Sequence, residues 1–94
     1  GRWSLAPAFD VTYSYNPSGA WTGTHQMTIN GKRDGILRGD VRTAGRSAGL
    51  KQGRADALLD EVTAAVSRWP DCAAKAGVPG DVVERIRSTH RLAL

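Results

Sequence analysis

Apolar residues change their pattern about one third of the way along the chain. In the first 21 residues, the apolar positions Trp3, Leu5, Phe9, Tyr13, Tyr15 and Trp21 follow no helical period, and Pro7, Pro17 and Gly19 interrupt them. Asn16-Pro17-Ser18-Gly19 has the residues of a type I turn in their preferred places, so the chain is expected to reverse there. Thr24 to Ile29 alternates, with Met27 and Ile29 on one face and Gln26 and Thr28 on the other. It reads as a short strand ending at an Asn30-Gly31 turn. Residues 30–35 read as loop.

From Ile36 onward the period becomes helical. A first helix is expected over about 38–48, with Val41, Ala44 and Ala48 on one face and Gly49 as its stop. The strongest signal follows: Ala55, Leu58, Leu59, Val62, Ala65, Val66 and Trp69 form an unbroken stripe. Burial of its four large aliphatics and Trp69 would contribute about 1.5–3 kcal/mol each before entropy. Pro70 removes a backbone donor and biases Trp69 away from helical geometry. A break or kink is therefore expected there, then a short helical piece to Ala76 and a stop at Gly77. A last helix begins at Pro79, carries Asp81 and Glu84 near its positive end, and buries Val82, Val83, Ile86 and Leu92 or Ala93. The expected fold is mainly α: an irregular, short-strand lead-in over residues 1–35 and a small helical bundle over 36–94.

Ninety-four residues suffice for one small domain with a modest core. Apolar residues at 40% and charged residues at 23% are ordinary globular usage, so the chain is expected to fold. The net charge of +4 would suit a polyanion partner. However, the basic residues alternate with acids: three against two in residues 1–35, ten against seven in 36–94. That is the pattern of a mildly basic solvated surface. No stretch approaches the roughly 18 apolar residues of a spanning helix, and no signal peptide is read, so a cytoplasmic location is expected. Cys72, the single cysteine, allows no internal disulfide; among alanines it reads as a small buried hydrophobe. The chain opens Gly1-Arg2-Trp3 without an initiator methionine, which reads as a start inside a longer gene product.

Little in the spacing carries chemistry. His25 and His90 lie far apart and at no zinc-ligand spacing. His90 is expected near the end of the last helix, where a cation suits the dipole, and His25 in structural hydrogen bonding. No Gly-x-Ser-x-Gly elbow is present, and Asn30-Gly31-Lys32-Arg33-Asp34-Gly35 lacks the spacing and terminal Ser/Thr of a phosphate loop. Val41 to Val62 has the outline of a helix-turn-helix, although the second helix would carry the core stripe. Asp10, after Leu5-Ala6-Pro7-Ala8-Phe9, reads as a turn or capping residue or as a magnesium ligand, and spacing alone does not choose.

The stretch Leu5-Ala6-Pro7-Ala8-Phe9-Asp10-Val11-Thr12-Tyr13-Ser14-Tyr15-Asn16-Pro17, followed by Thr24-His25-Gln26-Met27-Thr28-Ile29-Asn30-Gly31-Lys32, resembles the C-terminal region of HipA-type serine/threonine kinase toxins of bacterial toxin-antitoxin systems. The likeness continues through Arg68-Trp69-Pro70 and Gly77-Val78-Pro79; it is specific in residues 5–32 and generic in the helices. It implies the C-terminal subdomain of a protein-kinase-like fold. Asp10 would be the metal-binding aspartate in the role of the kinase DFG aspartate, holding Mg2+ against ATP as the γ-phosphoryl group passes to a protein serine.

In that family the catalytic-loop aspartate, the second metal-binding asparagine and the nucleotide-contacting lysine precede this segment, so the fragment alone is expected to be inactive and to bind neither ATP nor Mg2+. The implied partners are a protein substrate and a helix-turn-helix antitoxin of HipB type, with DNA reached only through the antitoxin. Residues 1–35 would be poorly ordered or would bury their aromatics against another copy. The alternative is a non-enzymatic DNA-binding or protein-interaction module built from residues 36–94.

Overall fold

A computed structural model describes all 94 residues. Four helices account for its regular structure: α1 (Arg38–Ser47), α2 (Arg54–Ser67), α3 (Trp69–Lys75) and α4 (Gly80–Arg87). There is no sheet. The strand expected over Thr24–Ile29 does not form. Only Ile29 pairs, with Lys32, through two backbone hydrogen bonds of 3.0 Å that close the Asn30-Gly31 turn. Thr24–Thr28 has no neighbouring strand to complete its ladder, and a lone extended segment is marginal in water.

Leu37 precedes α1, and Asp40 in the first turn accepts the Leu37 backbone N–H at 2.8 Å, satisfying a donor that the helix start would otherwise orphan. Both expected glycine stops are present. Gly49 and Gly77 are left-handed, at φ 76° and 78°, and after each the next residue donates back to the carbonyl five positions earlier: Leu50 to Gly45, Val78 to Ala73. Between α2 and α3 the chain breaks at Arg68, so Trp69 opens α3 and Pro70 falls in its first turn, where no backbone donor is needed.

The helices pack in chain order, α1 on α2, α2 on α3 and α3 on α4. The radius of gyration is 15.5 Å, against about 12 Å for a compact domain of this length. An open arrangement buries little, and only Asp40, Gly45, Ala73 and Ile86 are buried. Leu58, Leu59, Val66 and Trp69 of the expected stripe are half-buried, whereas Val62 stays 58% exposed. With no further layer against its outer side, the stripe captures only part of the stabilisation its sequence allows. Cys72 is exposed rather than buried, because its neighbour Ala73, a third of a turn round the helix, takes the inward position. The last helix ends at Arg87, so Leu92 is half-buried in the tail and Ala93 is exposed.

α1 and α2 meet at Gly45. A Cβ there would stand 2.8 Å from the Ala55 Cβ, closer than two carbons tolerate, with Leu50 Cδ1 at 3.5 Å. Gly45→Val is therefore expected to force the two helices apart and cost about 1–3 kcal/mol. Thermal denaturation followed by circular dichroism measures this as a lowered midpoint; an unchanged midpoint would show that the pair parts freely.

Polar contacts reinforce the same pair. Arg38 reaches Asp56 at 2.9 Å, Asp60 at 2.7 Å and the Leu94 backbone carbonyl at 3.0 Å, while Arg42 donates to Asp56 at 2.8 Å. At the other end, the Trp69 indole donates to the Val83 carbonyl at 3.1 Å and ties α3 to α4. No helix is long and apolar enough to cross a membrane.

Candidate functional site

The lead-in presents its apolar side chains to solvent: Trp3, Leu5, Phe9, Val11, Trp21 and Met27 are all exposed. Asp10 lies among them, exposed, in a left-handed conformation with φ 55°. Asp is among the few non-glycine residues that adopt this region with any frequency. Its carboxylate takes part in no hydrogen bond within the chain and no ion pair, so neither the turn bond nor the helix cap expected of a merely structural Asp is formed. An unpaired carboxylate is suitable chemistry for a hard cation. No group of three or more His, Cys, Asp or Glu is arranged to hold a metal ion. Asp10 is thus a single exposed oxygen donor, with no group of three or more such residues arranged around it.

The Asn30-Gly31-Lys32 segment is anchored elsewhere. Asn30 and Gly31 both have positive φ, 52° and 75°, the signature of a two-residue I′ turn. The turn aims Asn30 Nδ2 and Lys32 Nζ at Asp40, whose carboxylate accepts them at 2.8 and 2.9 Å. With the Leu37 N–H, three donors converge on a side chain in a residue only 6% exposed. The Asn30 amide, the Leu37 N–H and the Lys32 ammonium stabilise the ionised form and lower the Asp40 pKa from 3.8 to about 2. The turn is thus fastened to the start of α1. Sequence reasoning singled out Asn30, Gly31 and Lys32 but missed Asp40; its signal was an acid three residues after the helix-preceding Leu37.

A second meeting point joins lead-in and tail. Thr89 donates its hydroxyl proton to the Ile86 carbonyl at 2.7 Å, which leaves its oxygen to accept the Tyr13 hydroxyl at 3.1 Å. Arg91 pairs with Asp34. The Arg91 hydrogen bond, then the Gly35 N–H, holds the Asp34 carboxyl below its ordinary range. Between these contacts lies an open cleft of about 500 Å³. His25 and His90 both line it. His25 makes no hydrogen bond, unlike its expected structural role. His90 stands past the end of α4 and meets Trp69 edge to face, with ring centroids 6.1 Å apart, instead of sitting within the helix's last turn. Neither Asp34 nor Arg91 was singled out from sequence, because nothing in a separation of 57 positions announces a pair.

A larger concavity of about 690 Å³ lies at the α1–α2 turn, lined by Arg42, Arg46, Lys51 and Leu50 among others. Arg42 is committed to Asp56, which leaves Arg46 and Lys51 as its cations without an acidic partner. Compared with known proteins, the chain matches no family model, no curated protein and no solved structure.

Proposed function

We propose that the chain is the C-terminal helical subdomain of a HipA-type toxin kinase, a cytoplasmic enzyme that transfers the ATP γ-phosphate to a protein serine. The reading is carried by the resemblance of residues 5–17 and 24–32, centred on Asp10 and Asn30-Gly31-Lys32. Two structural facts agree with it. Asp10 is an exposed, unpaired carboxylate on a strained backbone position, and such positions cluster at functional sites. The exposed apolar lead-in is the surface expected of a segment made to cover a neighbouring lobe or another copy.

In the complete kinase, Asp10 would supply one oxygen ligand to Mg2+, the other protein ligands coming from the catalytic lobe. Magnesium there neutralises charge on the phosphates. What this chain contributes by itself is placement. The Asn30-Gly31 turn, fixed on Asp40, and the Tyr13–Thr89 contact attach the Asp10-bearing segment to the helices at two points. A catalyst that works by positioning and electrostatics is lost when its other groups are missing. The 94-residue chain is accordingly expected to transfer no phosphate from radiolabelled ATP to itself or to added protein. Turnover by this chain alone would defeat the reading. The HipB-type antitoxin and the substrate protein belong to the same proposal as partners of the complete enzyme.

The competing reading, a helix-turn-helix DNA module, is weakened by the state of the basic residues. Arg38 and Arg42 face acids of α2, and an arginine so engaged must break an existing pair to neutralise a phosphate. Salt-dependent duplex binding by the 94-residue chain would favour that module.

A further inference from the structure

We propose that Asn30-Gly31 is a site of covalent self-modification, where Asn30 converts to aspartate and isoaspartate once Asp40 no longer holds its carboxamide, and that the conversion unfastens the turn from α1. The reaction needs an asparagine, a following backbone nitrogen that is free and unshielded, and water. Asn30 is exposed. Gly31 donates its N–H to no acceptor in the chain, and nothing lies within 4 Å of the place a Cβ would take. Asn16, the other asparagine, cannot react this way, because Pro17 has no N–H to lose. Asp34-Gly35 is a poorer substrate: the Gly35 N–H is already taken by the Asp34 carboxylate at 2.8 Å.

The chemistry is self-contained. The Gly31 nitrogen gives its proton to water and bonds to Asn30 Cγ; the Cγ–Nδ2 bond breaks, and Nδ2 leaves as ammonia. Water then adds to either carbonyl of the resulting cyclic imide and reopens it as aspartate or isoaspartate. Amide plus water becomes carboxylate plus ammonium, with no oxidant or reductant.

Asp40 gates the first step. For Cγ to meet the Gly31 nitrogen the carboxamide must turn, and Asn30 Nδ2 is tied to Asp40 Oδ1 at 2.8 Å. Asp40 is itself fixed by Lys32 and the Leu37 N–H, and the Ile29–Lys32 pair holds the turn backbone. The reaction therefore waits on local opening of these bonds.

The product cannot restore them. A carboxylate at position 30 has no N–H to give and stands against Asp40, which is ionised at neutral pH with its pKa lowered to about 2. Lys32 then offers one positive charge to two negative ones. Isoaspartate also adds a side-chain carbon to the main chain, so a two-residue turn no longer closes. Ammonia is lost to solvent, which makes the release one-way. The inference uses only the turn and its anchor and is independent of the kinase reading.

The test is incubation of the complete 94-residue chain at neutral pH, folded and in urea, with the mass gain of amide-to-acid conversion followed by peptide mapping. Conversion is expected at Asn30 alone, as a mixture of aspartate and isoaspartate, and at least about fivefold slower in the folded chain than in urea. Asn30→Gln, which keeps an amide but closes the imide ring poorly, should show none at that position. Asp40→Asn should speed conversion at Asn30 with helical circular dichroism unchanged. Asp56→Asn, which breaks ion pairs away from the turn, should not. Asn30→Asp, the product by substitution, should lower the thermal midpoint. The proposal is overturned by equal rates folded and in urea, by Asp56→Asn speeding conversion as much as Asp40→Asn, or by an unchanged midpoint in Asn30→Asp.

Discussion

On the proposed kinase reading, Asp10→Asn in the protein extended upstream to include a catalytic lobe is expected to lower ATP phosphotransfer by roughly a hundredfold to a thousandfold or more. The loss should come without loss of structure. Asp10 is exposed, its carboxylate holds no partner within the chain, and Asn tolerates the same left-handed backbone at φ 55°. What the substitution removes is one negative charge and the hard-donor character of the carboxylate, the two properties a magnesium ligand needs. Asp10→Ala should lose as much activity. Circular dichroism of both variants should superimpose on that of the parent. Phosphotransfer retained by Asp10→Asn at ordinary magnesium would remove Asp10 from the metal site and leave it as a turn residue.

The largest effect on folding is expected at Asp40. Replacing it with Ala strands three donors, the Asn30 amide, the Lys32 ammonium and the Leu37 N–H, and releases the Asn30-Gly31 turn from the start of α1. A fall in the thermal midpoint of roughly 5 °C or more is expected from the lost hydrogen bonds. Asp40→Asn should fall less, since an amide oxygen still accepts one or two of them.

The same carboxylate predicts an acid dependence. Its pKa is lower in the folded chain, about 2, than the ordinary 3.8 of an unfolded one, so the unfolded state binds the proton more readily. The stabilisation is complete above about pH 5 and is lost as pH falls from 4 towards 2. Asp56, held by Arg42 and then Arg38, is lowered to about 2 as well and contributes in the same window. Urea titrations across that range should show a shallower acid loss for Asp40→Asn than for the parent chain. Equal slopes would mean that the three donors contribute nothing net to the folded state.

The helices were legible because their signals are local. The α2 stripe, the glycine stops after α1 and α3 and the break before Pro70 each follow from residues within one or two turns of each other. The Thr24–Ile29 strand was not, because alternation describes a segment that could join a sheet and says nothing about whether a partner exists. Cys72 shows a similar limit. An alanine-rich helix offers two adjacent small residues, and only the packing of α3 on α4 selects Ala73 as the inward one.

The parts of the candidate site divide in the same way. The Asn30-Gly31 turn was visible in two letters, whereas its anchor, Asp40, was hidden among ordinary helix-start acids. The Tyr13–Thr89 and Asp34–Arg91 contacts depend on the path of the whole chain and leave no mark on sequence spacing. The likeness around Asp10 carries a proposal about chemistry that neither periodicity nor charge supplies, and it concerns a side chain the fold leaves free.

That proposal is tested most directly by reading the DNA immediately upstream of the codon for Gly1. A HipA-type kinase predicts one uninterrupted reading frame there, encoding a catalytic-loop aspartate, a second metal-binding asparagine and a nucleotide-contacting lysine ahead of Leu5-Ala6-Pro7-Ala8-Phe9-Asp10. An upstream sequence with no such catalytic loop would contradict the kinase reading outright.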